Sequence, residues 1–351
     1  MNMLYIALQV AFPALEYLLI YDVPNITEIW DKKSLPESEK ETQSFWRLGD
    51  IDIHKCNQLV YVLPCYMLPQ LQINLQRLSI WDCKEVEVIV SKELKENEII
   101  VFHQLKHVHF WRLPKLKSFY TGTELLFSDK VAFPSLEWFS IMGLPMIKEI
   151  WPYKQPLPEP GKEAESFCKL SKIRVEDCDQ LVYVFPFYIL RQLQHLEMLK
   201  IEYCKNVEVI VSAELKEEEV IHNDIVFPQL KTVRLWGLPN LKRICSETQL
   251  FFSDKHAFPA LEGIGLYDKD LEFLLDGTST KEVLFPIIAS PLEDAAVALA
   301  ELMIKFVYLF KYLAVNFPSS SNCLAVGRCS NALSSFLFVI NGHITCGNLG
   351  Q

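Results

Sequence analysis

The sequence predicts an α/β solenoid: an open horseshoe of stacked repeat units, with a parallel concave sheet and a helix near its C-terminal end. Three observations lead to this prediction. The chain contains a long internal duplication, each copy is built from shorter units with strand-like alternation of apolar residues, and 351 residues exceed the usual size of one compact core. Half of the residues are apolar, which excludes a mostly disordered chain.

The duplication consists of three segments that recur in the same order, 121 to 125 residues further along the chain. Chance does not produce three ordered matches, so they indicate two consecutive blocks, at about residues 12–130 and 133–255. The matching pairs are Cys56–Val62 with Cys178–Val184, Cys83–Glu98 with Cys204–Glu219, and Thr123–Glu137 with Thr248–Glu262.

Each block divides into shorter units whose first, fourth, sixth and ninth residues are apolar. This spacing is the leucine-rich-repeat signature, in which the central apolar pair lies on a short strand. Because alternate strand residues point to opposite faces, the pair is predicted to face the solenoid interior, and the residues around it the concave surface. We expect about nine units within a solenoid domain at residues 1–275. The units begin at Leu15, Leu48, Leu75, Leu105, Leu136, Leu170, Leu196, Leu230 and Leu261.

The outward positions of these strands carry residue types that are enriched in binding hot spots. The residue after the apolar pair is Trp or Tyr in five of nine units, and the residue between the pair is Lys or Arg in three. We expect the tryptophans to stack into one contiguous ladder, and the basic flank suggests an acidic partner. The alternative is that the tryptophans only shield one another along the sheet. The candidate partner-binding residues are Tyr21, Trp81, Trp111, Arg174, Lys200, Arg234, Trp236 and Tyr267.

No group of residues favours catalysis, and we predict neither an enzyme nor a cofactor or metal site. The phosphate-binding pattern Gly-x-x-x-x-Gly-Lys-Ser/Thr is absent from the sequence. His103, His107 and His109 have no nearby cysteine or carboxylate to complete a metal site. Asp50 and Asp52 form a same-face carboxylate pair, but an open sheet face offers no enclosed pocket for glycosidase-type chemistry.

The net charge and the composition of the N-terminal segment limit the kind of partner and the compartment that we expect. The chain has 34 basic and 44 acidic residues, a net charge of −10, so we predict no nucleic-acid partner. The apolar start, Met1–Val10, lacks the basic residues of a secretory signal, and we therefore expect a cytoplasmic protein with reduced cysteines. Four of the ten cysteines occupy an inward repeat position and are predicted to be small buried residues: Cys56, Cys83, Cys178 and Cys204.

Beyond residue 275 the repeats fade. Ser290-Pro291-Leu292-Glu293 has the features of a helix start, and apolar residues follow it at helical spacing, which predicts a capping helix region at residues 276–317. A membrane span is not expected here, because each of Glu301, Lys305 and Lys311 would cost roughly 2.5–3.5 kcal/mol near a bilayer centre. Residues 318–351 have almost no charge and no period, and we expect irregular structure there.

The repeats resemble those of plant intracellular immune receptors, the disease-resistance proteins with a coiled coil, a nucleotide-binding domain and C-terminal leucine-rich repeats. Phe-Pro-x-Leu units carry the resemblance, together with alternating Cys-x-x-Leu units, and it covers about residues 10–275. The Phe-Pro-x-Leu units begin at Phe12, Phe133, Phe227 and Phe258.

The resemblance implies a non-enzymatic protein-binding module in plant defence, the recognition or autoregulatory repeat region of such a receptor. It implies a protein partner: a pathogen effector, a guarded host protein or a switch domain. The sequence does not match the family's nucleotide-binding domain, so we expect a truncated receptor or a repeat-only relative. The alternative is a leucine-rich-repeat adaptor that presents clients to another machine, such as a ubiquitin ligase.

Overall fold

The computed structural model describes most of the repeat region and part of the C-terminal tail. The expected helix region at 276–317 lies outside the described residues, and so does Tyr267. Among the residues that are described, no helix is long and apolar enough to cross a bilayer. The structure describes residues 15–30, 47–91, 99–128, 130–151, 166–212, 227–246, 250–266, 271 and 274–275, and the backbone of 335–340 and 343–348.

Parallel strands from successive repeat units form one long sheet, which confirms the predicted solenoid. Each strand pairs with the strand of the next unit, and the central apolar pairs align without slippage across the sheet. In chain order these strands are β1 (Leu15–Tyr21), β2 (Asp50–His54), β4 (Arg77–Trp81), β7 (His107–Trp111), β10 (Trp138–Met142), β11 (Lys172–Glu176), β13 (Met198–Glu202), β15 (Thr232–Trp236) and β17 (Gly263–Leu266).

The other side of the solenoid is built from short strands and single helical turns. One parallel sheet contains β3 (Tyr61–Pro64), β5 (Val88–Ser91) and β8 (Ser118–Tyr120). Its counterpart in the second block contains β12 (Tyr183–Pro186), β14 (Val209–Ser212) and β16 (Arg243–Cys245), so the sequence duplication is also a duplication of structure. The remaining elements are β6 (Ile100–Val101) with β9 (Val131–Ala132), the helix α1 (Leu68–Asn74), and 3-10 turns at Cys65–Met67 and Phe187–Arg191.

The apolar positions of the units form one continuous core. In β2, for example, Ile51 and Ile53 are completely buried, as the alternation predicted. Where the two blocks meet, an aromatic cluster fills the interior, with ring centroids 4.9 to 6.0 Å apart around Phe127 and Trp151. Packed aromatic rings therefore fill the duplication boundary.

A left-handed residue ends eight of the concave strands. These residues have φ between 50° and 66°, and they are Asp22, Lys55, Asp82, Arg112, Gly143, Asp177, Tyr203 and Gly237. The backbone N–H of each of the first seven donates to the last carbonyl of the following strand, over 2.7 to 3.1 Å. This turn directs the chain out of the sheet while keeping the unit bonded to its neighbour.

The four inward cysteines are buried, as predicted, and none of them pairs in a disulfide with another described cysteine. Each thiol donates to the carbonyl two residues earlier, at the end of the preceding concave strand, over 3.3 to 3.5 Å. Burial and the neighbouring Cys204 thiol raise the pKa of Cys178, which keeps it an unreactive thiol. These cysteines are therefore structural groups.

The tail contains strands that the sequence analysis did not predict. Residues 318–351 were expected to be irregular, whereas β18 (Ser335–Ile340) and β19 (His343–Asn348) form an antiparallel pair, and β18 extends the sheet beside β1 in parallel. Two physical factors favour this pairing. Ser335–Ile340 is rich in Phe, Val and Ile, which favour strands, and pairing with it satisfies backbone groups on the side of β1 opposite β2.

Candidate partner-binding surface

The strand register arranges the outward side chains of the concave face in three columns, named here by strand position. The first column is Tyr17, Asp50, Arg77, His107, Trp138, Lys172, Met198, Thr232 and Gly263. The third column is Leu19, Asp52, Ser79, His109, Ser140, Arg174, Lys200, Arg234 and Gly265. The fifth column is Tyr21, His54, Trp81, Trp111, Met142, Glu176, Glu202 and Trp236.

Four rings of the fifth column form what we call the aromatic ladder: Tyr21, His54, Trp81 and Trp111. Successive centroids are 5.8, 5.2 and 4.6 Å apart, and His54 stacks nearly parallel to Trp81 while Trp111 meets Trp81 edge to face. All four rings are half-buried, so each keeps part of its surface for solvent or a partner. His54 was not among the candidate residues, yet it connects Tyr21 to the tryptophans.

Trp236 does not belong to this ladder, so the prediction of one contiguous tryptophan ladder is wrong. Met142, Glu176 and Glu202 lie between Trp111 and Trp236 in the column. At about 4.8 Å per strand, that separation is about 19 Å. Trp236 instead contacts Tyr203, with ring centroids 4.8 Å apart. The fifth column therefore contains two separate aromatic patches.

The predicted basic flank is a mixed-charge patch. The Arg174 guanidinium lies 2.6 Å from Glu176 and 3.5 Å from Glu202, measured from Nη2 to Oε2. Burial raises the pKa of Glu202, and Arg174, Lys200 and Arg234 act in the opposite direction. The carboxylates of the fifth column thus offset the cations of the third column, which weakens the inference of an acidic partner at this place.

A second group of side chains on the same face was missed by the sequence analysis. We call Arg77, His107, His109, Trp138 and Lys172 the histidine–tryptophan cluster. The His109 ring meets Trp138 edge to face at 4.6 Å, and His107 lies 6.1 Å from Trp138 and 6.2 Å from His109. The Lys172 ammonium lies over the Trp138 ring, 5.6 Å from its centroid.

The signal for this cluster was present in the sequence, because Trp138 precedes the outward-facing Ser140 by two residues and must share its face. In the part of the chain that the structure describes, Arg77 and Lys172 make no ion pair, in contrast to Arg174. Burial lowers the pKa of His107, and the nearby Arg77 lowers it further. The cluster is thus a group of basic side chains around an indole, in which neither Arg77 nor Lys172 is held in an ion pair with another described residue.

Asp52, one of the two carboxylates considered for catalysis, has a structural role. Asp52 is completely buried, although it occupies an outward position, because Tyr17 covers it. The Tyr17 hydroxyl donates to Asp52 Oδ2 over 2.6 Å, and burial followed by the Asp52 charge strongly raises the pKa of Tyr17. A carboxylate held under a tyrosine in this way cannot meet a substrate across a cleft.

The family model described as "Plant disease resistance protein RPS2-like, leucine-rich repeats" matches residues 14–155 and 135–262. The chain belongs to this family. The matched residues include every concave strand from β1 to β15, so the disease-resistance repeats are the same units that carry the aromatic ladder and the histidine–tryptophan cluster.

A probable disease resistance protein of Arabidopsis thaliana is 34% identical to these repeats over 77 residues, which is 22% of this chain and 8% of that relative. The match therefore covers a small part of the relative's length. No solved structure gives a significant match.

Leucine-rich-repeat solenoids of this kind are generally non-catalytic and bind through their extended concave surface. Among the described residues of these disease-resistance repeats, no group of three or more His, Cys, Asp or Glu side chains is placed to hold a metal ion. The features of the concave face that do stand out are aromatic rings and cations, which are residue types suited to protein recognition.

Proposed function

We propose that the chain is a non-enzymatic protein-binding module in plant defence, the recognition or autoregulatory repeat region of a cytoplasmic immune receptor. Its partner is a pathogen effector, a guarded host protein or a switch domain. The observation that carries the proposal is the aromatic ladder, in which four half-buried rings lie side by side on a rigid concave sheet within disease-resistance repeats.

The ladder has the physical properties of a binding surface. Aromatic side chains bury a large area and lose little conformational entropy on binding. Each of these rings is held by its neighbours and by a strand whose inward residues are completely buried, so the surface is organised before a partner arrives. Such anchors typically contribute 2 kcal/mol or more each, which corresponds to about 30-fold in affinity.

The test is to replace Trp111 by Ala in the full chain and measure affinity for a panel of candidate partners. The panel contains pathogen effectors, their host targets and nucleotide-binding domains of plant receptors. We expect at least one panel member to bind, and Trp111→Ala to weaken that binding about 30-fold. Because Trp111 is half-buried, the melting temperature should fall by only a few degrees.

Lys242→Gln serves as the control, because Lys242 is exposed just before β16, away from the concave sheet, and pairs there with Glu208. This change should leave both affinity and melting temperature unaltered. If Trp81→Ala and Trp111→Ala lower the melting temperature by many degrees while affinity per folded molecule holds, the rings are core residues, and the surface has been assigned wrongly.

A further inference from the structure

The histidine–tryptophan cluster adds a second chemistry to the concave face, distinct from that of the aromatic ladder. We propose that this cluster binds an acidic peptide segment of the protein partner, with carboxylates between Arg77 and Lys172 and against His107. This inference rests on the proposed function, because it assumes that the concave face binds a protein.

The cluster has the dimensions of a short peptide site. Arg77, His107, Trp138 and Lys172 lie side by side on β4, β7, β10 and β11. At about 4.8 Å per strand, the two cations are about 14 Å apart, which an extended segment of about four residues spans at about 3.4 Å per residue. A peptide crossing the strands would therefore pass from one cation to the other over His107 and Trp138.

The charges of the cluster are available on the side where the peptide would lie. Lys172 is exposed, and its ammonium lies over the Trp138 ring. The nearest carboxylate in the column, Asp50, lies beside Arg77 on the side away from His107. Glu137, just before β10, is paired with Lys106 at 3.7 Å. In a chain of net charge −10, a local excess of positive charge directs an acidic segment to this place.

His107 should make the affinity of this site for an acidic peptide depend on pH. Its half-buried ring is surrounded by Arg77 on β4, by Lys106 next to it, and by Glu137 and Lys172 from the following strands. Burial lowers the pKa of His107, the three cations lower it further, and Glu137 opposes them. A bound carboxylate would favour the imidazolium and raise this pKa, so binding takes up a proton and tightens as pH falls.

The experiment uses the full chain and a fluorescently labelled peptide of alternating Glu and Ser residues, with the matching Gln–Ser peptide as the uncharged control. Fluorescence anisotropy should show binding of the Glu–Ser peptide alone, with affinity increasing up to about tenfold per pH unit as pH falls. Lys172→Gln should weaken this binding about tenfold. His107→Gln should remove most of the pH dependence.

Lys242→Gln removes the same charge from an exposed lysine outside the concave sheet and should leave peptide affinity unchanged. Equal losses from Lys172→Gln and Lys242→Gln would overturn the proposal, because they would indicate general electrostatics. Binding of the Gln–Ser peptide, or tighter binding of single-stranded RNA, would also overturn it. If the Glu–Ser peptide does not bind while a panel partner still loses affinity in Trp111→Ala, this inference is overturned and the proposed function stands.

Discussion

The left-handed residue after each concave strand is the smallest repeated feature of the molecule. A side chain in this conformation costs roughly 1–2 kcal/mol, yet six of the eight positions carry a residue other than glycine. In each of these six, the hydrogen bond from the turn to the neighbouring strand holds the backbone in place. The two glycines occupy sites that differ in the space left for a Cβ atom.

Gly237 should tolerate a side chain far less well than Gly143. A Cβ atom at Gly237 would lie 2.7 Å from Tyr203 Cδ1 and 3.2 Å from Tyr203 Cα, whereas one at Gly143 would meet nothing closer than 3.4 Å. We expect Gly143→Ala to cost about 1 kcal/mol of unfolding free energy and Gly237→Ala about 2–3 kcal/mol, measured by urea denaturation. Equal losses in the two variants would contradict the steric argument, and Tyr203→Ala should partly rescue Gly237→Ala.

At the scale of the strands, charges are balanced between neighbouring units. The pairing of Arg174 on β11 with Glu202 on β13 is the clearest case, because both side chains are largely removed from solvent. Elsewhere the ion pairs between units are exposed, as in Lys117 with Glu87 and Lys242 with Glu208, and pairs of that kind contribute little. Among these ion pairs, we therefore expect the one between Arg174 and Glu202 to contribute most to stability.

Arg174→Met should destabilise the protein by about 1–3 kcal/mol at neutral pH, because it leaves the Glu202 carboxylate buried without its ion-pair partner. Burial raises the pKa of Glu202, and removing Arg174 raises it further. The penalty is therefore present above that pKa and disappears as pH falls through it and the carboxyl protonates.

Urea denaturation between neutral and mildly acidic pH measures this effect. Lys242→Met is the matched control, since it breaks an exposed pair and should show a small loss with no such pH dependence. A loss in Arg174→Met that stays constant with pH would show that Glu202 is not the group left unpaired.

At the scale of the whole molecule, the two blocks form one stack because the aromatic cluster packs across their boundary. Phe127 lies within 6.0 Å, centroid to centroid, of Phe119, Phe133, Phe139, Trp151 and Phe167. Phe252 occupies the equivalent position in the second block and contacts Phe258 at 5.2 Å. In a solenoid, cooperative unfolding depends on contacts between neighbouring units. Phe127 and Phe252 should therefore contribute differently to the cooperativity of unfolding.

Phe127→Ala should cost about 3–5 kcal/mol and split denaturant unfolding into two transitions, because it weakens the contact between the blocks. Phe252→Ala should lower stability near the C-terminal units without splitting the transition. Fluorescence and circular dichroism followed on the same samples would reveal the two steps. A single, merely shifted transition in Phe127→Ala would show that the blocks are coupled mainly through the backbone of the concave sheet.

The sequence by itself determined the repeat units, the buried apolar pair of each strand and the inward cysteines, of which Ile51, Ile53 and Cys56 are typical. These features are local: alternation along a strand and fixed spacing within a unit decide which face a residue occupies. The same reasoning correctly placed Tyr21, Trp81 and Trp111 on the concave face.

Only the tertiary structure decided which outward side chains are available to a partner. Asp52 is covered by Tyr17, Arg174 pairs with Glu202, and Trp138 packs against His107 and Lys172. Each of these contacts joins residues of neighbouring units, roughly thirty positions apart in the chain. They depend on the register between strands and on the space beside them, which no pattern within a single unit contains.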